Sequence, residues 1–468
     1  MTKKAITVFI LIILMFSAMP AAAPAAQAAE TVGTLDVGFD VEITANAAYF
    51  MNLDSGLVIY EKNANERVHP ASTTKIMTAA LVMTMCADLD NTVVTVPEGV
   101  WSEFEGEDVS NAGLKVGEEL TMNQLLHCLL LQSANEAAVT IAEYYGYDAF
   151  VGMMNDKARE LGCNDTNFEN PHGFMGENHY TSARDLAVIT QWALGVPGFW
   201  EITQKARYDK AETNMNEATT LVSTIEMQDP NSRYYTSYIK GIKTGTLDSA
   251  GRCLVSAAQH NGVTYLLVIM GAPYENVDTV WVDGTSSYTD TKLCYDWAFA
   301  NLKLINAVDN MTAVTEIKIR YAARRDNLLL YPVDDMYAVE RIDAETQHET
   351  RYEMVDVPES INAPVQEGDV IAKAKVYYGG VYLGETNLVA RDTIERNVFT
   401  MIMDAMTDVL TSTVAKIIYV VLLIAVILYL YYVKVVVPKA QKKHRKQLAE
   451  KKRREQEAKQ RSTYRRRR

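Results

Sequence analysis

Seventeen consecutive residues near the C-terminus, Ile417 to Val433 (IIYVVLLIAVILYLYYV), carry no charge, and they constrain this chain more than any other stretch. A helix that is apolar all round belongs either in a protein core or in a bilayer. A core helix would show a polar face somewhere, and this run has none. With Lys416 and Lys434 as snorkelling ends and Val435 to Val437 beyond, it is long enough for a hydrocarbon layer of roughly 30 Å. The sequence therefore predicts a transmembrane helix over residues 417–437.

The residues beyond the span orient it. From Lys439 to Arg468 there are fifteen Lys and Arg against three Glu, a net of +12. Such an excess directly after a span predicts a cytoplasmic tail, residues 438–468, beside anionic lipid. Nucleic acid is the costlier alternative partner. The chain totals −14, so the basic tail leaves residues 1–437 at −26. So acidic a portion argues against nucleic-acid binding and for a solvated life outside the cell.

The N-terminus agrees. Lys3 and Lys4 precede an apolar run from Ala5 to Met19, and small residues lead to the A-x-A pattern Ala26-Gln27-Ala28. This reads as a signal peptide over residues 1–28. An N-terminal membrane helix is the alternative, but the run is short for a span and ends in Pro20 and Pro24. Five cysteines, at 86, 128, 163, 253 and 294, are few and widely spaced. They suggest no dense disulfide framework and no metal site, and one bridge stays open.

Between the ends, Ala47 to Asn63 predicts two strands around a turn at Asp54-Ser55-Gly56. Residues 73–194 are mostly helical in pattern. Strand character returns after Tyr238, with β-prone runs at Cys253–Ala258 and Val263–Met270 about His260-Asn261-Gly262. A helix is expected over residues 291–304. The flanking strands join either one sheet or two. From about residue 312 to 392 the texture becomes short strands without a helix signal, a small all-β module. Residues 393–416 connect it to the membrane, as an amphipathic helix.

Three short patterns stand where chemistry would be presented. Ser72-x-x-Lys75 opens an apolar helical stretch, in HPASTTKIMTA. Ser133-Ala134-Asn135 lies at a break between two helical runs. Lys243-Thr244-Gly245-Thr246 leads into a β-prone segment. Each alone is weak, but three in this order are a strong signal. A serine hydroxyl needs a neighbouring base to take its proton. Ser72 and Lys75 lie one helical turn apart on one face. A helix N-terminus, nearby cations and burial all disfavour a charged lysine, so Lys75 is expected to be a neutral amine and the general base.

With these residues the chain resembles the low-molecular-mass penicillin-binding proteins, the serine-type D-alanyl-D-alanine carboxypeptidases. Asn170-Pro171-His172-Gly173, Tyr180 to Asp185, and Ala363-Pro364-Val365 through Gly368 resemble further segments of that family, over residues 40–395 or so. The resemblance implies an α/β penicillin-recognising catalytic domain over 40–305, with a helical middle and an antiparallel sheet. The small all-β domain and the transmembrane helix would come after it. It implies that Ser72 forms an acyl-enzyme, with Lys75 as base and Ser133 relaying a proton to the leaving amine. Asn135 would hold the substrate backbone, while Lys243 and Thr244 would receive its terminal carboxylate. Gly245 would let a substrate strand lie close, and the backbone N–H groups of Ser72 and Thr246 would form an oxyanion hole. Arg252 is a weaker candidate for a carboxylate contact, with a plain surface role the equal alternative, and His172 is expected to be structural.

The implied substrate is a peptidoglycan stem peptide ending in D-Ala-D-Ala, with β-lactams as inhibitors and no metal or cofactor. Two other readings are a class A-like β-lactamase and a catalytically silent wall scaffold. The membrane span, the β-module, and Ser-Ala-Asn in place of Ser-Asp-Asn weigh against the first. The intact motifs weigh against the second. Endopeptidase activity would use the same site.

Overall fold

The computed structural model describes residues 33–465 apart from 175, 274–285, 324 and 346. The signal peptide expected over 1–28 lies outside the described residues. The chain divides into two compact units. The first runs through Val314 and adds Tyr331–Val357 and Ala372–Leu388, and the second comprises Thr315–Leu330, Pro358–Ile371 and Val389–Arg468.

The first unit is built on one antiparallel sheet. Strands β1 (Ala47–Asn52) and β2 (Val58–Lys62) form the expected hairpin. After α1 (Lys75–Met85) comes a small ribbon of β3 (Val93–Thr95) and β4 (Glu119–Thr121). Helices α2 (Met122–Leu131), α3 (Asn135–Tyr145), α4 (Tyr147–Glu160), α5 (Ala183–Leu194) and α6 (Phe199–Thr203) make up the helical middle. A second ribbon, β5 (Arg207–Lys210) with β6 (Thr219–Val222), comes next. The chain then returns through β7 (Ile239–Leu247), β8 (Gly251–His260) and β9 (Val263–Ala272). The order β2-β1-β9-β8-β7 shows that the early and late strands share one sheet, with β7 at its edge.

Each face of this sheet carries its own apolar core. Side chains alternate across a strand, so Ala47, Tyr49 and Met51 of β1 face the helical middle while Ala48 and Phe50 face the other way. On the first face α1 is surrounded. Lys75 to Met83 are all buried, which suits a helix whose residues after Lys75 are apolar on nearly every side. On the opposite face lies α7 (Ser286–Asn301), whose Tyr288, Cys294, Tyr295 and Ala298 pack beneath the sheet.

Local sequence explains the helix starts. Thr121 and Gln124 form a reciprocal capping box at α2, and Ser182 accepts from the Asp185 N–H at α5. The helix expected over 291–304 ends earlier than that. Leu302–Val308 is strand β10, paired antiparallel with β13 (Met336–Arg341). All five cysteines are free thiols, so the open question of a bridge closes.

The all-β stretch divides along the chain between the two units. In the first unit, β14 (Thr350–Val355) pairs with residues 373–378 of β16 (Val370–Tyr378), and a turn at Gly379-Gly380 leads into β17 (Val381–Ala390). In the second, β11 (Thr315–Arg320) pairs antiparallel with β12 (Asn327–Pro332) and parallel with β15 (Ser360–Asn362). The second unit continues into α8 (Val398–Thr411), whose apolar residues are exposed. Next comes α9 (Thr413–Tyr431), long and apolar enough to cross a membrane. A π-helical turn joins it to α10 (Val437–Arg465).

Candidate active site

Ser72 lies in a 3₁₀ turn, Ala71–Thr74, that runs directly into Lys75, the first residue of α1. The turn begins with Ala71 at φ +49°, a left-handed conformation costly for a residue with a Cβ. Several contacts hold it there. His69 Nδ1 accepts from the Ala71 N–H at 3.1 Å, and Thr74 Oγ1 donates to Ala71 O at 2.9 Å. His179 Nε2 stands 2.8 Å from the same Thr74 hydroxyl.

Two glycines let other segments close around this turn. A Cβ on Gly173 would lie 1.9 Å from Ala71 O, and one on Gly245 would lie 3.0 Å from Pro70 O and 3.2 Å from Ala71 Cβ. Strand β7 is thereby pressed onto the turn that carries Ser72. Gly245 is expected from sequence to admit a substrate strand; the space beside its Cα is filled by the turn itself.

Lys75 is fully buried, with its Nζ 2.9 Å from Ser72 Oγ. Nζ donates to Asn135 Oδ1 at 2.8 Å and to the His172 carbonyl at 2.7 Å. The Asn135 amide is oriented by its other end, where Nδ2 donates to Ser110 O at 3.1 Å. A carbonyl only accepts, so Nδ2 must face Ser110 and Oδ1 must face Lys75. A neutral amine has two hydrogens and one lone pair. Two pure acceptors take the hydrogens, and the lone pair is left for the Ser72 hydroxyl.

The electrostatics favour that neutral state. Burial first, and the Lys243 ammonium second, hold Lys75 well below the ordinary lysine value, while Glu136 pulls the other way. Lys243 is itself fully buried on β7, and burial brings it down to about 7.

The remaining motif residues line one cleft of about 190 Å³. Ser72, Ser110 and Ser133 stand at one end, with Thr244, Gly245, Thr246 and Arg252 along the strand side. Ser133 sits at φ +59° in the break before α3, and Asn135 is the first residue of that helix. Thr246 of the edge strand pairs with Arg252 of β8. Thr244 Oγ1 is 2.7 Å from Thr224 Oγ1.

Residues 31–274, which hold all of this geometry, match the family described as D-alanyl-D-alanine carboxypeptidase. The chain belongs to that family. Residues 305–396 match the C-terminal domain described for penicillin-binding protein 5. The chain is 27% identical over 356 residues to the D-alanyl-D-alanine carboxypeptidase DacF of Bacillus subtilis, covering 75% of this chain and 86% of that relative. It is 32% identical over 240 residues to DacA of Escherichia coli K12, covering 49% of this chain and 57% of DacA. The solved penicillin-binding protein 5 of Haemophilus influenzae shares the fold, with a TM-score of 0.62 at 23% identity over 76% of this chain and 99% of that one. This carboxypeptidase is thus a serine-type hydrolase with a penicillin-binding-protein-5-like fold and a C-terminal apolar helix that fits a membrane anchor.

Residues that the motifs do not announce also shape the surroundings of the cleft. Glu136, next to Asn135, is completely buried. Its Oε1 accepts from the N–H groups of Ala112 and Leu114 at 2.7 and 3.3 Å. Asn135 N and Nδ2 both donate to Ser110 O. Together the two side chains clamp the loop 110–114 that walls the cleft. His172, expected to be structural, is buried between Glu103 and Phe174. Its Nε2 is 3.0 Å from Glu103 Oε2, its Nδ1 accepts from the Phe174 N–H, and burial lowers the ring's pKa against the pull of Glu103. The signal for Glu136 was its place directly after the second motif. Ser110 and Glu103 had none.

Proposed function

We propose that this carboxypeptidase removes the terminal D-Ala from peptidoglycan stem peptides through an acyl-enzyme on Ser72. The observation that carries the reading is the hydrogen-bond count at Lys75. Both N–H groups of a neutral amine are taken by Asn135 Oδ1 and His172 O, which aims its lone pair at Ser72. Lys75 is then a base with its lone pair already directed at the proton it must take.

Ser72 Oγ attacks the carbonyl carbon of the penultimate D-Ala as its proton passes to Lys75. The carbonyl oxygen becomes an oxyanion, held by the backbone N–H groups of Ser72 and Thr246. Collapse re-forms the carbonyl and breaks the C–N bond. The leaving amine takes a proton delivered from Lys75 by way of Ser133, and D-Ala departs. A water then attacks the ester carbon, its proton goes to the base, and the shortened peptide and the Ser72 hydroxyl are released.

Lys243, Thr244 and Arg252 receive the substrate's terminal carboxylate, and Thr246 contributes its backbone N–H beside them. Asn135 serves first to orient Lys75, and its contact with the peptide backbone comes second. A β-lactam places its strained carbonyl where the scissile one belongs and acylates Ser72.

The anchor supports an orientation as well. Residues 417–437 span the membrane, the catalytic part lies outside, and the basic tail 438–468 lies in the cytoplasm. Protease added to intact protoplasts should then leave the tail untouched and remove the catalytic part. Loss of the tail alone would reverse the topology.

The direct test uses the full-length protein in detergent and its Ser72→Ala variant. Each is incubated with diacetyl-L-Lys-D-Ala-D-Ala, and in parallel with a labelled penicillin. D-alanine release and stable labelling that both vanish in the variant support the reading. Rapid penicillin turnover without D-alanine release points to a lactamase, and folded protein doing neither points to a scaffold.

A further inference from the structure

One carboxylate in the catalytic cleft has no part in acylation or deacylation of Ser72. Glu226 opens a 3₁₀ turn, Glu226–Gln228, and its exposed side chain lines the cleft that also holds Ser72 and Arg252. The turn is firmly pinned. Tyr288 Oη donates to Thr224 O at 2.8 Å and accepts from the Glu226 N–H at 3.4 Å. The Thr236 N–H donates to Met227 O at 3.1 Å.

The same contacts fix which end of the cleft Glu226 occupies. Thr224, two residues before it, places its hydroxyl 2.7 Å from that of Thr244. Thr244 is the hydroxyl assigned to the substrate's terminal carboxylate, so Glu226 stands on the leaving-residue side. Among the described residues, its carboxylate accepts one long hydrogen bond, from Ser232 Oγ at 3.4 Å. It carries negative charge into a region that must receive a carboxylate.

An exposed charge has a modest effect, but the effect has a sign. A leaving D-Ala brings only a carboxylate to this end, and Glu226 repels it. A leaving residue that also carries a side-chain ammonium gains an attraction that offsets the repulsion. We propose that Glu226 is a specificity determinant that favours, among longer leaving residues, a diamino acid with a free side-chain ammonium over an uncharged residue of the same length. The proposal rests on the roles given to Ser72 and Thr244 and adds to them the class of leaving group.

The test compares three peptides of the form diacetyl-L-Lys-D-Ala-X, where X is D-Ala, D-Lys or D-norleucine. D-norleucine matches the length of the D-Lys stem without its ammonium. Full-length wild type should show a kcat/KM for D-Lys roughly twofold to fivefold above that for D-norleucine, shrinking at high salt. Glu226→Gln should bring that ratio to about one while raising the release of D-Ala. These opposite signs separate a charge effect from a structural one. A D-Lys to D-norleucine ratio of one in wild type, a ratio unchanged in the variant, or an equal loss on all three peptides overturns the proposal. If no leaving residue is released in a Ser72-dependent way, the reading beneath it falls as well.

Discussion

The carbonyl oxygen of His172 lies 2.7 Å from the Nζ of Lys75. A backbone carbonyl cannot donate, rotate away or titrate, so it is a permanent acceptor for one lysine hydrogen. The segment that supplies it is fixed one residue earlier, where Thr78 Oγ1 donates to Pro171 O at 2.6 Å. The Lys75 amine is thus steered by backbone, and side-chain changes at His172 should act only through the position of that loop.

Removing the base should be far more damaging than its lost packing suggests. Lys75→Ala is expected to lower kcat for D-Ala release by about 10²- to 10⁴-fold, the usual worth of a placed general base. Penicillin acylation should slow in parallel. A pre-steady-state comparison of both rates checks this, and retention of more than about a tenth of either would remove Lys75 from the role.

The two buried lysines should give kcat/KM a bell-shaped pH dependence. Lys75 works when neutral, so activity falls as pH drops through its depressed value. Lys243 works when charged, and burial places it at about 7. Free-enzyme affinity for the carboxylate should therefore weaken as pH rises through that region. A bound carboxylate favours the ammonium, so kcat should hold to higher pH than kcat/KM. A KM that stays flat across about pH 6 to 9 would contradict the Lys243 assignment.

Glu136→Gln should move the acid limb of that profile to lower pH. The ionised carboxylate favours the protonated form of Lys75, so removing its charge lets Lys75 lose its proton earlier. Gln keeps an acceptor oxygen for the Ala112 and Leu114 amides, so the wall loop should hold. Glu136→Ala instead releases that loop and should raise KM. An acid limb that does not move in the Gln variant would assign Glu136 to the clamp alone.

The two glycines around Ser72 should differ in tolerance. Gly173→Ala puts a Cβ into Ala71 O at 1.9 Å, at a left-handed φ of +78°. Something must shift, and the variant should lose folded yield. Gly245→Ala meets its neighbours at 3.0 to 3.2 Å, so it should fold at a cost of about 1–3 kcal/mol. It should also lower kcat by displacing Ser72. Thermal melts and D-Ala release on both variants check the order.

That the three motifs belong together was legible because each compresses a chemical requirement into three or four residues. Ser72, Lys75, Ser133, Asn135 and the residues of β7 all reach one cleft or its buried floor. The wall opposite β7 was not legible. Ser110 lies in a loop and Glu103 in a short 3₁₀ turn, neither with any periodicity, and both are placed by partners at Asn135 and His172 far along the chain. The 3₁₀ turn that carries Glu226 was hidden for the same reason. Leu302 to Leu304 looked like the end of a helix because their local preference is ambiguous. Pairing with Met336–Arg341 decides it, and that information lies some 30 residues away. The long apolar helix and the β1–β2 hairpin were legible because hydrophobic length and turn residues are local.

The backbone from Thr413 to Arg465 is helical throughout, the π turn at Tyr432–Val436 included. At 1.5 Å per residue, the 29 residues of Val437–Arg465 make a rod of about 43 Å beyond the span. The field of anionic headgroups decays over about 8 Å at physiological salt. With Thr413–Tyr431 in a bilayer and the rod upright, Lys439 and Lys442 would sit inside that layer, while Lys451 to Arg454 and Lys459 would stand clear. In that placement the basic cluster Lys451–Arg454 would be displayed to the surrounding solution, at a height that the bilayer's own attraction does not reach.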